Sequence, residues 1–329
     1  MRALVTGGAG YIGSRLTSHL LACGFNVTVF DRLVYGGQAL LPFVGNRSFR
    51  LVKGDVRNRA ALEAVVRESD VVVHLAAIVG EPACDLDTVA AKEVNQDAAM
   101  AALDIAEALG VRRFLFFSTC SNYGVSDPSL LADEDSELRP LSLYAHTKVE
   151  VERYILEHPR RICATVLRLG TICGLSGRMR FDLLVSEMAR AAALGESIEI
   201  YKPEAWRPFL HVADVGRIVE HVLSCSEDRV ARRVFNVVAD NYQKRSLIDL
   251  VRKYYPRAPI TITETRPDNR DYRVSSARVE RELGFSTRHT VEEAFVETAQ
   301  AVSDGVFVDP YWPGHSAIPL DERRPLMKA

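Results

Sequence analysis

The residues best suited to chemistry are a tyrosine and a lysine four positions apart, Tyr144 and Lys148. On a helix this spacing places the two side chains one turn apart, where the ammonium group can lower the pKa of the phenol. A phenolate formed near neutral pH can remove the proton of an alcohol. The pair alone is common, so its weight depends on the elements that position it.

A buried strand precedes this pair. Residues 114–117 are Phe, Leu, Phe and Phe, a run that predicts a buried parallel strand. Ser118, Thr119 and Cys120 therefore fall at its carboxyl end, where open α/β sheets bind ligands. Together, the strand end and the helical pair predict an active site at this edge of the sheet.

A glycine-rich turn near the amino terminus predicts a dinucleotide site. The short apolar strand 3–6 leads into GGAGYIG at positions 7–13, and a helical pattern follows directly. Gly7 permits the tight bend, Gly10 lets the backbone approach a pyrophosphate, and Gly13 lets the helix pack against the strand. The amino terminus of the helix then faces the phosphates.

The next strand indicates which dinucleotide binds. Residues 26–30 end in Asp31, whose carboxylate can accept hydrogen bonds from an adenosine ribose and would repel a 2′-phosphate. This favours NAD over NADP. Arg32 argues the other way, because a guanidinium can pair with that phosphate. The less favoured alternative is that Asp31 only caps a turn.

Composition agrees with an enzyme of one large or two closely joined domains. The 329 residues are 47% hydrophobic, the net charge is −2, and the 41 basic residues are scattered, which disfavours nucleic acid as a partner. The six cysteines show neither CxxC nor metal-ligand spacing, so we expect reduced thiols, no metal and a cytoplasmic location. No apolar stretch approaches the ~18 residues of a membrane span, and the chain begins directly with strand and turn, which predicts no signal peptide.

Apolar strands alternate with helical patterns through the first half of the chain, which predicts an α/β fold with a doubly wound parallel (Rossmann) sheet. We expect residues 1–170 to form the dinucleotide-binding domain and residues 171–329 mainly a smaller, interwoven substrate domain. A segment near 207–240 should return to the first sheet, because residues 235–238 predict one more buried strand. The end of the chain, 309–329, is rich in proline and charge and predicts a loose or surface-bound tail.

These motifs together resemble those of the extended short-chain dehydrogenase/reductases that act on nucleotide sugars. The resemblance covers roughly residues 1–305 in order. It is carried by GGAGYIG at 7–13, Asp31, GDV at 54–56, HLAA at 74–77, Asn95, STCSNYG at 118–124, YAHTK at 144–148 and RPFLHVAD at 207–214.

The resemblance implies roles for the residues at the strand end and on the helix. Tyr144 would be the base that takes the proton of a sugar hydroxyl while hydride passes to a nicotinamide. Lys148 would bind the nicotinamide ribose and, with the positive cofactor ring, keep the tyrosine ionised. Thr119 would bridge the tyrosine and the sugar oxygen and relay the proton.

The resemblance also implies residues that hold NAD. Asp55 and Val56 would flank the adenine, and Asn95 would lie near the cofactor. The expected cofactor-binding residues are Gly7, Gly10, Tyr11, Ile12, Gly13, Asp31, Arg32, Asp55, Val56, Leu75, Ala76, Ala77, Asn95, Ser118, Tyr144 and Lys148.

The expected partner is a nucleotide-diphosphate sugar, whose phosphates call for guanidinium groups. Arg207 and Arg266 occupy the places where the resembled family holds the diphosphate, and Arg178 and Arg180 are additional candidates. Thr171 stands where many epimerases carry an asparagine. The expected substrate-binding residues are Thr119, Cys120, Ser121, Thr171, Arg178, Arg180, Arg207 and Arg266.

The residues after Thr119 indicate the reaction. Sugar-nucleotide dehydratases place Asp and Glu there, and uronate decarboxylases place Glu at the second position, whereas this chain has Cys120 and Ser121. A 4-epimerase needs neither acid, so we expect an NAD-dependent epimerase that inverts C4 through a 4-keto intermediate. Cys120 is more plausibly an inert packed thiol than a proton donor.

Two alternatives remain open at this point. One is an NAD(P)H-dependent 4-ketosugar reductase. The other is a non-catalytic dinucleotide-binding regulator, which is disfavoured because Thr119, Tyr144 and Lys148 are all present. The resemblance also implies a homodimer formed through the helices near 92–109 and 143–157. The apolar positions Ala98, Ala102, Leu103 and Ala106 would line that interface or face the chain's own sheet.

Overall fold

A computed structural model describes residues 1–125, 130–263 and 270–318. Its strands, in chain order, are β1 Arg2–Thr6, β2 Asn26–Asp31, β3 Phe49–Lys53, β4 Val71–His74, β5 Arg113–Thr119, β6 Cys163–Leu169, β7 Thr171–Cys173, β8 Ile198–Tyr201, β9 Trp206–His211, β10 Arg233–Val237, β11 Asp240–Gln243 and β12 Ile260–Thr263. Its α-helices are α1 Tyr11–Ala22, α2 Arg59–Val66, α3 Glu81–Leu86, α4 Thr88–Lys92, α5 Ala98–Ala108, α6 Leu143–Glu157, α7 Leu184–Leu194, α8 Val212–Ser224, α9 Glu227–Val230, α10 Lys244–Tyr254, α11 Ala277–Leu283 and α12 Val291–Ser303.

Seven of these strands form one parallel sheet in the order β3-β2-β1-β4-β5-β6-β10. Strands β4 and β6 are buried along their whole length, because helices cover both faces of the sheet. The strand order reverses between β1 and β4, and the crevice at the carboxyl ends of these strands is where such sheets bind ligands. The predicted doubly wound fold is therefore confirmed.

The second half of the chain adds smaller sheets beside this crevice. β7 and β11 flank β9 in a three-stranded sheet, and β8 pairs with β12. Only β10 from this half joins the large sheet within the described residues, where it pairs with β6.

The inner face of α5 answers the question that its sequence left open. The four apolar positions Ala98, Ala102, Leu103 and Ala106 are each at most 5% exposed and belong to the core between the sheet and its helices. They face the chain's own sheet and cannot supply a dimer interface, so the homodimer stays a prediction without them. In the described part of the chain, no helix is long and apolar enough to cross a membrane.

Candidate functional site

The glycine turn after β1 has the geometry that a phosphate-binding turn needs. Gly7 has a φ of +72°, and a Cβ there would lie 2.8 Å from the backbone nitrogen of Ala76. A Cβ on Gly13 would lie 2.3 Å from the carbonyl oxygen of Gly7. Only glycine fits either position, and the first turn of α1 can therefore lie directly against the turn with its N–H groups available to an anion.

Asp31 ties this turn to the end of β2. Its Oδ2 accepts a hydrogen bond from the backbone N–H of Ala9 at 2.9 Å, and its Oδ1 accepts one from Leu33 at 2.7 Å. Burial raises the pKa of the carboxyl group, while these two N–H groups oppose the shift. Each oxygen keeps a second lone pair that a ribose hydroxyl can use.

Arg32 lies close to a different carboxylate, Asp55. Its Nε lies 3.8 Å from Asp55, a carboxylate that also binds the guanidinium of Arg57 at 2.7 Å. The hydrogen bonds from Arg57 are the main reason that the pKa of the Asp55 carboxyl group is below its usual value. An acceptor for ribose thus lies half-buried at the turn, whereas the arginine that would attract a 2′-phosphate is half exposed and lies near Asp55.

These elements line a cleft that encloses about 1060 Å³, part of it open to solvent. Twelve of the predicted cofactor-binding residues line it: Gly7, Gly10, Tyr11, Ile12, Gly13, Asp31, Arg32, Asp55, Val56, Leu75, Ala76 and Ala77. The sequence analysis missed the apolar walls, among them Phe30, Tyr35 and Val94. Gly54 is the visible trace of this wall in the sequence. A Cβ at this position would lie 2.2 Å from the Phe30 ring, so the ring can lie there only against a glycine.

The predicted tyrosine and lysine lie on the first turns of α6, which Ser142 caps by accepting a hydrogen bond from the N–H of Ala145. Lys148 is 2% exposed, with its Nζ 4.7 Å from the centre of the Phe116 ring and 5.7 Å from that of Tyr144. Burial lowers the pKa of Lys148 to about 8.

The pKa of Tyr144 differs from the sequence-based expectation. Burial raises it above the usual value, and the cation that opposes this shift is Arg180 rather than Lys148. The protein groups described here therefore favour the neutral phenol. Ionisation of Tyr144 needs a further positive charge, which is the part that the resemblance assigns to the oxidised nicotinamide ring.

Thr119 ends β5 and begins a chain of polar contacts towards the second half of the protein. Its hydroxyl donates to Ser121 Oγ at 3.1 Å and accepts from the Ser121 N–H at 3.1 Å. The hydroxyl of Tyr272 reaches Ser121 at 3.5 Å, and the guanidinium of Arg207 lies 5.9 Å from the Tyr272 ring. Tyr272 is a buried residue that the sequence analysis missed.

Two predicted site residues on the same segment face the core instead. Ser118 donates its hydroxyl hydrogen to Glu152, and Cys120 donates its thiol hydrogen to the carbonyl oxygen of Arg168 at 3.4 Å. They are 4% and 1% exposed, and burial raises the pKa of the Cys120 thiol. Neither side chain lines the cleft, and neither do Thr119, Tyr144 and Lys148. The contacts of Ser118 and Cys120 described here are with the core, and their predicted ligand contacts stay predictions.

Asn95 supports the cleft without lining it. Its Oδ1 accepts from the N–H of Ile78 at 2.7 Å, and its Nδ2 donates to the carbonyl oxygen of Ile78 at 2.9 Å. Ile78 does line the cleft. The asparagine therefore fixes the loop after β4, and its predicted role near the cofactor is indirect.

The predicted substrate arginines separate into different places. Arg178 and Arg180 line the dinucleotide cleft, whereas Arg207 is 4% exposed on β9 and donates to the carbonyl oxygens of Trp206 and Arg270. Thr171 is half-buried at the start of β7 and does not line the cleft. Arg266 lies outside the described residues.

One group of potential metal ligands lies away from the cleft lining. The ligand atoms of His19, Cys23 and Glu220 lie within 4.8 Å of one another, across α1 and α8. His19 Nε2 and Glu220 Oε2 already form a contact of 2.7 Å. Because these two groups satisfy each other, we assign no metal to them.

Comparison with known proteins agrees with this site. Residues 3–238 match the NAD dependent epimerase/dehydratase family. A UDP-glucose 4-epimerase of Corynebacterium glutamicum is 27% identical over 93% of this chain and 97% of its own length. A dTDP-glucose 4,6-dehydratase of Streptomyces niveus is 28% identical over 92% of this chain and 93% of its own length.

A solved structure also has a similar fold. MoeE5 in complex with UDP-glucuronic acid and NAD superposes with a TM-score of 0.80 and 27% identity, over 91% of this chain and 98% of its own. The fold and the cleft define a Rossmann-type enzyme that uses a dinucleotide. More particularly, the chain belongs to the NAD dependent epimerase/dehydratase family, which confirms NAD as the cofactor expected from Asp31.

Proposed function

We propose that the protein is a nucleotide-sugar epimerase that inverts C4 through a transient 4-keto sugar. The cleft residues around Gly7, Gly10 and Asp31 would hold NAD, which would supply the acceptor and donor of the C4 hydride. The relatives include both an epimerase and a dehydratase at similar identity, so the proposal rests on the site.

The observation that carries the proposal is the segment after Thr119. A dehydratase needs an acid and a base to expel water, but Cys120 is a buried thiol with a raised pKa and Ser121 is a hydroxyl held by Thr119. Epimerisation at C4 needs only a proton acceptor for the C4 hydroxyl. Tyr144 fits that role, since α6 places it beside the cation Lys148.

In this proposal Tyr144 Oη takes the C4 hydroxyl proton as hydride leaves C4. It returns the proton after the 4-keto sugar has rotated to present its opposite face. Lys148, whose pKa is about 8, is mostly charged at pH 7 and would bind the ribose hydroxyls of the cofactor. The phenolate of Tyr144 would also need the positive charge of the bound nicotinamide ring. Thr119 would relay the proton, for which its hydroxyl would have to exchange its present partner Ser121 for Tyr144 and the sugar oxygen. Arg207 would meet the substrate diphosphate from the second half of the chain.

The test is a panel of UDP- and dTDP-hexoses incubated with protein and catalytic NAD, and analysed by NMR for C4 epimers. We expect interconversion without net accumulation of NADH. Tyr144→Phe should lower turnover by roughly 10² to 10⁴ while NAD still binds. Tyr154→Phe, on the same helix but bonded to Asp104, is the matched control and should keep full turnover.

Two results would contradict the proposal. Stoichiometric oxidation of NADH or NADPH by a 4-keto sugar, without epimerisation of the hydroxylated sugar, would identify a reductase. Full activity in Tyr144→Phe would remove the proposed base altogether.

A further inference from the structure

The loop after β7 is fastened to the first turn of α1. The hydroxyl of Tyr11 donates to the carbonyl oxygen of Gly174 at 2.6 Å. The hydroxyl of Ser176 donates to the backbone carbonyl oxygen of Tyr11 at 2.7 Å. The Oγ atoms of Ser14 and Ser176 are 3.0 Å apart. Because the first turn of α1 is where a phosphate would bind, the loop delivers its next side chains to that place.

Arg178, two residues further on, is a buried cation without a carboxylate partner. It is 6% exposed and lines the cleft, and its Nε has no hydrogen-bond partner among the described residues. The nearby acids are engaged elsewhere, since Asp182 pairs with Arg180 at 2.6 Å and Asp31 accepts two backbone N–H groups. Burial lowers the pKa of Arg178 to about 10, as expected for a cation that lacks a counter-charge.

The carboxyl-terminal segment holds this guanidinium in place. Its Nη2 donates to the carbonyl oxygen of Ser316 at 2.6 Å, and its plane lies over the ring of Tyr35, 3.8 Å from the ring centre. The Tyr35 hydroxyl donates to the carbonyl oxygen of Ala317, whose N–H donates to Asp182 at 3.1 Å. Arg178 is therefore held in place before any ligand binds. Its Nη2 donates to Ser316, while its Nε has no hydrogen-bond partner among the described residues.

We propose that Arg178 binds the pyrophosphate of the dinucleotide, together with the first turn of α1. A buried guanidinium is costly unless an anion joins it, and pyrophosphate oxygens accept paired donors from arginine. The sequence analysis had assigned this arginine to the sugar diphosphate. The proposal depends on the NAD site and not on which sugar reaction follows.

The test compares ADP-ribose with adenosine by calorimetric titration. ADP-ribose carries the pyrophosphate and the second ribose attached to it, and adenosine carries neither. The variant is Arg178→Met in the full chain, because methionine fits a buried site of this length without charge. Arg190→Gln is the control, since it also removes one positive charge but lies over Phe181 and Tyr311, outside the cleft lining.

We expect Arg178→Met to weaken ADP-ribose binding by roughly 10- to 100-fold and to leave adenosine binding within about 2-fold, as for the loss of a charge-assisted hydrogen bond. Arg190→Gln should change neither. Arg178→Lys, which keeps the charge but loses the fork, should weaken ADP-ribose less than Arg178→Met does.

Unchanged ADP-ribose affinity in Arg178→Met would overturn the proposal. Equal weakening of both ligands would also overturn it, because it would show that the arginine only shapes the loop. If Arg178→Met does not fold, Arg178→Lys takes its place, and selective weakening of ADP-ribose remains the required result. Absence of C4 epimerisation alongside the expected binding pattern would refute the proposed reaction alone.

Discussion

Next to the candidate active site, Glu152 on α6 and Arg168 on β6 form a buried ion pair whose contribution can be tested by substitution. Their side chains are 2% and 4% exposed, and Glu152 binds Arg168 through contacts of 2.6, 3.0 and 3.2 Å. Glu152 also accepts hydrogen bonds from Ser118 and Asn122, on either side of the segment that carries Thr119. The pair thus joins the tyrosine helix to the end of β5.

Glu152→Gln keeps the size of the side chain but leaves Arg168 buried without its counter-charge. Breaking one side of a buried pair costs about 3–5 kcal/mol, a large fraction of the roughly 5–15 kcal/mol that stabilises a typical domain. We expect the free energy of unfolding, from urea titration followed by circular dichroism, to fall by that amount. Turnover should fall as well, because the segment around Thr119 loses its anchor.

The same helix supplies a matched control. Glu150 contacts Arg153 at 2.9 Å, but both side chains are about half exposed, so Glu150→Gln should cost less than about 1 kcal/mol. If Glu152→Gln costs no more than Glu150→Gln, the buried pair does not stabilise the site and the reasoning fails.

Two further predictions concern the cofactor and pH. Asp31→Asn should weaken NAD by roughly 10- to 100-fold and narrow its advantage over NADP in fluorescence titrations. Asp70→Asn is the control, because this carboxylate binds Arg2 outside the cleft lining and should leave NAD affinity unchanged. Equal affinity of the wild type for both dinucleotides would show that Arg32 governs the site. Burial, and to a smaller extent the charge of Lys148, lowers the pKa of His74 to about 3, so the ring is neutral in the folded state. The contribution of neutral His74 to the free energy of unfolding is therefore complete above about pH 6.5 and is lost as the pH falls. Between pH 6.5 and 5, the free energy of unfolding measured in urea should fall by about 2 kcal/mol more for the wild type than for His74→Asn. Equal pH dependence of the two proteins would contradict this prediction.

Local pattern was enough to predict the elements that form the site. The run that became β5 and the helical spacing that became α6 predicted both elements, and α6 spans the expected 143–157. Each depends on near neighbours in the sequence, as hydrophobic periodicity does. The glycine turn was predictable for the same reason.

The directions of side chains at the strand end were less well predicted, although a signal existed. Successive residues of a strand point to opposite faces, so Ser118 and Thr119 could not both face the cofactor. The position of Arg178 carried no such signal. It depends on the contacts of Arg178 with Tyr35 and Ser316 and on the hydrogen bond from Tyr11 to Gly174 in the same loop. These residues are far apart in the sequence and meet only in the folded chain.

The placement of β10 has a consequence for how the chain is made. β6 is buried along all seven residues, and β10 covers its outer edge from Thr165–Arg233 to Leu169–Val237. While the protein is being synthesised, the outer edge of β6 keeps unpaired N–H and C=O groups until at least 64 further residues have been added after Leu169. A nascent chain stalled in this interval would present an edge open to pairing with another copy, so slow translation across the second half should favour aggregation over folding.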